Sequence, residues 1–117
     1  VQRLLRRLCA RCAEWRAAAA AESRWLHTHG QQDVQRVPTA AGCPHCHGTG
    51  FHGRFVVSEV HLIDDDFRDD VTGGAALSVL RRHAVNRGVE SLSVQAARRI
   101  VEGVTTTEEV KRVVGWL

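Results

Sequence analysis

Methionine is missing from all 117 residues, and lysine occurs once, at Lys111. Natural chains are initiated with methionine, so the sequence reads as a trimmed protein or a fragment. Its opening, Val1-Gln2-Arg3-Leu4-Leu5, starts in mid-element without a cap or turn residue, which favours a fragment. Long apolar runs are absent too: the longest covers residues 17–21, all alanine, against the ~20 a membrane span needs. No charged start followed by an apolar run and a small-residue cleavage site is present, so an export signal is not expected. With its sole lysine inside a helix-patterned stretch after Glu109-Val110, the chain has no Gly-x-x-x-x-Gly-Lys-Ser/Thr loop to hold nucleotide phosphates.

What remains is an ordinary globular balance of 44% apolar and 25% charged residues in a length that suits one domain. A core of that size is modest, so a metal staple would add to it. The formal charge is +3, carried almost entirely by arginine. Four thiolates on one divalent ion would add about two negative charges and nearly cancel it, so basicity gives little support to nucleic-acid binding.

Along the chain, Leu4, Leu5 and Leu8 share a helical face over residues 1–8. The alanine-rich stretch from Ala13 to about His27, with Trp15 and Trp25, predicts a helix stopped by Gly30. Residues 31–42, with Pro38, predict a loop, and residues 55–62 (Phe-Val-Val-Ser-Glu-Val-His-Leu) a short strand. Then come three or four helices. Asp64 caps one carrying Phe67 and Val71, ended by Gly73-Gly74; Leu77, Leu80 and Ala84 line the next, ended by Gly88. Val94, Ala97, Ile100 and Val101 line a third, ended by Gly103. For the last, Thr106 and Glu109 predict a capping box, with Val110, Val113, Val114 and Leu117 as the apolar face. The expected fold class is mainly α with a small β component. An irregular four-cysteine knuckle region with one strand occupies residues 1–63 and a helical bundle residues 64–117, as one compact domain.

All the cysteine lies in two Cys-x-x-Cys pairs, Cys9/Cys12 and Cys43/Cys46. Two intervening residues let a tight turn aim both sulfurs at one ion, and two such turns complete a tetrahedron. Four thiolates close the shell and leave no position for water or substrate, so the expected site is a structural Zn²⁺ without catalytic residues. Two disulfides would suit an exported chain, and an iron site is the remaining alternative. His45, His47 and His52 stand near the second pair and are expected on the surface or behind the ligands. The acidic run Asp64-Asp65-Asp66 with Asp69 and Asp70 reads as a helix N-terminus rather than a cation site. The glycines of Gly48-Thr49-Gly50-Phe51-His52-Gly53 have dinucleotide-fingerprint spacing, but they follow a knuckle and lead into a strand, which excludes that reading.

These residues carry a family resemblance. Gln2-Arg3-Leu4, Leu8-Cys9-Ala10-Arg11-Cys12, Gly42-Cys43-Pro44-His45-Cys46, Thr49-Gly50-Phe51-His52-Gly53-Arg54, Glu59 and the closing Gly103-Val104-Thr105-Thr106-Thr107-Glu108-Glu109-Val110 resemble the C-terminal zinc region of type II secretion ATPases. These belong with the type IV pilus assembly ATPases. Val56 stands where that family usually has glycine. The resemblance implies a hexameric parent, cytoplasmic and peripheral to the bacterial inner membrane, that powers protein secretion or pilus assembly. It implies that ATP and Mg²⁺ bind in a core preceding Val1, and that this region touches neighbouring subunits or an inner-membrane platform protein. Neither nucleic acid nor direct membrane insertion is expected. Two rivals rest on the residues alone: a zinc ribbon binding nucleic acid through Arg3, Arg6, Arg7, Arg11 and Arg54, and a cysteine-rich chaperone module of the DnaJ type, whose repeat Cys43-x-x-Cys46-x-Gly48-x-Gly50 matches once.

Overall fold

The computed structural model describes residues 1–116. Its elements run β1 (Gln2–Leu8), β2 (Glu14–Ala17), α1 (Ala20–Thr28), β3 (Arg36–Thr39), β4 (Phe51–Ser58), α2 (Asp65–Thr72), α3 (Leu77–Asn86), α4 (Leu92–Val101) and α5 (Thr107–Val113). The fold is mainly α with a small β component, and four short helices follow residue 64 as expected.

The opening segment is a strand, not the helix its leucines suggest. Leu5 is buried in the core and Leu8 is buried at the strand's end, where its N–H donates to Val104 O at 2.8 Å, whereas Leu4 is exposed. Odd and even residues of a strand point to opposite faces, so burying both Leu5 and Leu8 means both faces are covered somewhere. Such a strand loses the alternation that would have identified it. β1 pairs antiparallel with β4, Leu5 opposite Phe55 and Arg3 opposite Val57. Pairing shifts between Arg6 and Leu8, where β4 sets His52 and Gly53 against the single Arg7. Gly53 takes φ +86°, the left-handed conformation a bulge glycine supplies. β4 therefore begins at Phe51 and ends at Ser58, four residues earlier than the expected strand of residues 55–62.

The alanine-rich stretch is also not one helix. Glu14–Ala17 pairs with Arg36–Thr39, inside the segment expected as a loop, with Trp15 opposite Pro38. Tertiary pairing overrides alanine's helix propensity here. Only Ala20–Thr28 is helical, and Glu22 reaches back to accept from the Ala19 N–H at 2.9 Å. Gly30 follows its end, as expected.

The core joins Leu5 and Val57 of the first ladder, Val37 of β3, Trp25 and Leu26 of α1, Ala96, Ala97 and Ile100 of α4, and Val110 of α5. Gln95 fixes α4 to β4 by accepting from Ser58 N at 3.1 Å and donating to Ser58 O at 2.6 Å. Asp64 caps α2 by accepting from Phe67 N at 2.9 Å. α2 and α3 pair with each other, and no α2 residue is buried. The radius of gyration is 17.0 Å, against about 13 Å for a compact chain of this length. Elongation along a 55 Å axis accompanies it.

Thr106 caps α5 as expected, accepting from Glu109 N at 3.1 Å. Glu109 does not complete a capping box. Its carboxylate accepts instead from Arg6 N (3.0 Å), Arg6 Nε (3.1 Å) and Nη2 (2.8 Å), and from Arg112 Nη2 (2.7 Å). A buried carboxylate gains more from a guanidinium and an open strand N–H than from one cap amide. Leu117, expected on the apolar face of α5, lies outside the described residues.

Candidate metal centre

Each Cys-x-x-Cys pair sits on a turn that its own backbone closes. After β1, Cys12 N and Ala13 N both donate to Cys9 O, at 3.3 and 3.0 Å. After the second pair's start, Gly48 N donates to Cys43 O at 2.9 Å, and Thr49 Oγ1 donates to Cys46 O at 2.7 Å. Cys9 N donates to Gly50 O at 2.9 Å, which docks one turn on the other. Glycine is required at two points of this dock. A Cβ on Gly42 would sit 2.7 Å from Gly48 O, and one on Gly50 would sit 2.5 Å from Ala40 Cβ; both residues have positive φ.

The result brings all four expected ligands together. Sγ separations are 3.7 Å for Cys9–Cys43 and 3.8 Å for both Cys12–Cys46 and Cys43–Cys46, with all four sulfurs within 4.8 Å of one another. These cysteines are free thiols rather than disulfides. Zinc–thiolate bonds of about 2.3 Å give a regular tetrahedron an S···S edge of about 3.8 Å, so spacing and donor type both fit Zn²⁺. Cys9 and Cys46 are buried, with Cys12 and Cys43 at the rim.

Backbone amides tune the sulfurs. Burial pushes the Cys46 thiol up, but N–H donors from Cys43 (3.2 Å) and Gly50 (3.1 Å) outweigh it and bring it down to about 6. Burial raises Cys12 too, and there it prevails over one long N–H bond from Gly42 at 3.4 Å and pushes the thiol up to about 12. Four crowded thiols do not all ionise without a cation among them, and a divalent ion supplies that charge. The amide donors were not legible in the sequence; the glycines at 42 and 50 were their only trace.

The histidines stay outside this shell. His45, His47 and His52 are exposed, and the His45 and His52 rings pair at 4.5 Å. Arg11 beside His45 holds its imidazole below the usual value. Among the described residues the four cysteines are the only group of three or more side chains spaced for a metal, so the acidic run makes no such cluster. Two of the arginines considered for nucleic acid have aromatic neighbours: Arg6 lies over the Phe51 ring at 4.1 Å and Arg7 over Phe55 at 5.7 Å. No helix among the described residues is long and apolar enough to cross a membrane.

Two buried acids that sequence reasoning had not singled out as a pair brace the site. Glu109 ties α5 to β1 three residues before Cys9. Glu22 accepts from Arg16 Nη1 at 2.7 Å and from the Thr107 hydroxyl, while Arg16 Nη2 also reaches Glu108 at 2.8 Å. Arg16 holds the Glu22 carboxyl down at about 2. Burial alone would raise Glu109, but Arg112 and Arg6 bring it down to about 2.

Fold and site together define a tetracysteine metal-binding module braced by short helices. Comparison with known proteins gives its family. The model for type II/IV secretion system proteins matches residues 1–112, and the chain belongs to that family. It is 34% identical over 116 residues to the type IV pilus assembly ATPase TfpB of Acinetobacter baylyi, covering 97% of this chain and 20% of that protein. Identity is 37% over 115 residues with the type II secretion system protein E of Pseudomonas aeruginosa, covering 96% of this chain and 22% of the relative. The type II secretion system ATPase E of Vibrio cholerae is 30% identical over 112 residues, covering 96% and 22%. The chain thus spans about a fifth of the length of these relatives.

Proposed function

We propose that this chain is a non-catalytic structural zinc module from the C-terminal region of a hexameric ATPase that powers type II protein secretion or pilus assembly. One observation carries the reading: four cysteine sulfurs, supplied by turns 34 residues apart, converge at the spacing of a zinc tetrathiolate. Cys9, Cys12, Cys43 and Cys46 would all be ligands, leaving no open coordination position for substrate, so the ion supplies cohesion between two turns. ATP and Mg²⁺ would bind in a core outside these residues; relatives named ATPases are about five times longer than the stretch matched here. Neighbouring subunits of the hexamer and an inner-membrane platform protein are the proposed partners, at the cytoplasmic face of the bacterial inner membrane. Within the module, residues 1–63 hold the metal and residues 64–117 form the bracing helical part. The clamp from Glu109 to Arg6 supports treating both as one folding unit.

Metal analysis of the reduced, purified chain tests this reading. One zinc per chain is expected, with loss of far-UV ellipticity when a strong chelator removes it. A reduced and folded chain free of metal would sink the proposal. The same sample is expected to hydrolyse no ATP above background; turnover that persists through further purification would reveal a catalytic site in this chain.

A further inference from the structure

Helices α2 and α3 form an arm that the rest of the chain leaves open. Of the twelve exposed large apolar residues among those described, seven lie between positions 60 and 85: Val60, Leu62, Ile63, Val71, Leu77, Val79 and Val85. On α3, Leu77, Arg81 and Val85 follow i, i+4, i+8 spacing and so share one face. Leu77 and Val85 are 61% and 69% exposed. A concentration of exposed apolar side chains in one stretch of a chain marks a contact surface.

Charge identifies what covers it. Residues 64–72 hold five aspartates and one arginine, whereas residues 75–89 hold three arginines and no acid. Part of this charge is paired inside the arm: Arg87 with Asp64, Arg68 with Asp65 at 3.1 Å, and His83 with Asp70 at 2.7 Å. Asp69, Arg81 and Arg82 have no ion-pair partner among the described residues. One helix thus leaves acid over and the other leaves base over, and the complement of each is present on the same molecule.

We propose that the arm is an assembly surface for a second copy of this chain, the acidic α2 of one copy lying against the basic, apolar-edged α3 of the other. This rests on the subunit assembly proposed above and names the surface that makes it. Apolar contact through Leu77 and Val85 supplies attraction, while the opposed charges set which helix meets which.

Sedimentation velocity on the zinc-loaded chain across a concentration series tests it. The chain self-associates, and added salt weakens the association. Asp65→Arg with Asp69→Arg cancels the acidic excess of residues 64–72, leaving three aspartates and three arginines, and Arg81→Glu with Arg82→Glu turns residues 75–89 net acidic beside an acidic α2. Each double variant alone loses at least about tenfold in self-affinity, because the charge attraction between α2 and α3 is removed in the first and reversed in the second. An equimolar mixture of the two restores association, since acidic and basic arms again meet. Far-UV ellipticity and zinc content verify that each variant is folded; the neutral pair Asp69→Asn and Arg81→Gln provides a milder set with the same expected order. A wild-type chain that stays monomeric, or that floats with anionic lipid vesicles while monomeric, overturns the proposal. Association that ignores both double variants, or folded variants whose mixture fails to associate, overturns it as well. If association persists in the variants, the subunit-assembly reading stands and only the arm's role falls.

Discussion

Glu109 combines complete burial with two arginine partners, so its charge is sustained by Arg6 and Arg112. Replacing it with glutamine keeps the shape but leaves the guanidinium groups under-compensated. We expect Glu109→Gln to cost about 3 kcal/mol in chemical denaturation at neutral pH. Glu22 and Glu109 both have carboxyls held at about 2, below the ordinary 4.5. A depressed carboxylate stabilises the fold fully above its unfolded value, and that contribution fades as pH falls from about 4.5 toward about 2. Acid also protonates the thiolates and acts in the same direction. The difference between wild type and Glu109→Gln across that window isolates the carboxylate share, and it should shrink as pH drops. At the ligands, Cys43→Ser opens the shell and strands three thiolates, an expected loss of several kcal/mol readable as metal release at lower chelator concentration.

At the scale of elements, the four C-terminal helices were legible from local signals: Asp64 and Thr106 cap two of them, glycines stop the first three, and α3, whose start at Ala76 has no side-chain cap, shows in its apolar spacing. The metal ligands were legible for the same reason, since a two-residue spacing is a local signal. The strands were not. β1 and β2 are held by partners 43 or more and 19 to 25 residues away, respectively, and nothing in Gln2–Leu8 or Glu14–Ala17 announces those partners. β1 also has both faces covered at different points, and Trp15 pairs with Pro38 inside a stretch whose composition reads as loop. The bulge gives a direct check on the ladder. Gly53 has nothing near its missing Cβ, so Gly53→Val pays only for its left-handed backbone. A loss of about 2 kcal/mol is expected by denaturant titration, with zinc stoichiometry unchanged.

For the molecule as a whole, β1 is the meeting place of metal, sheet and C-terminal helix. Thr105 Oγ1 donates to Arg6 O at 2.9 Å, and Glu109 accepts from the Arg6 N–H across 103 residues of sequence. During synthesis, therefore, the first strand leaves the ribosome long before the groups that satisfy its outer edge exist. A nascent chain can gather its cysteines once Cys46 has emerged, yet that half-built knuckle keeps an unpaired edge until Thr105 and Glu109 have followed. A stop codon just ahead of Thr105 would leave it so permanently, a natural substrate for chaperones and proteases even with all four cysteines intact.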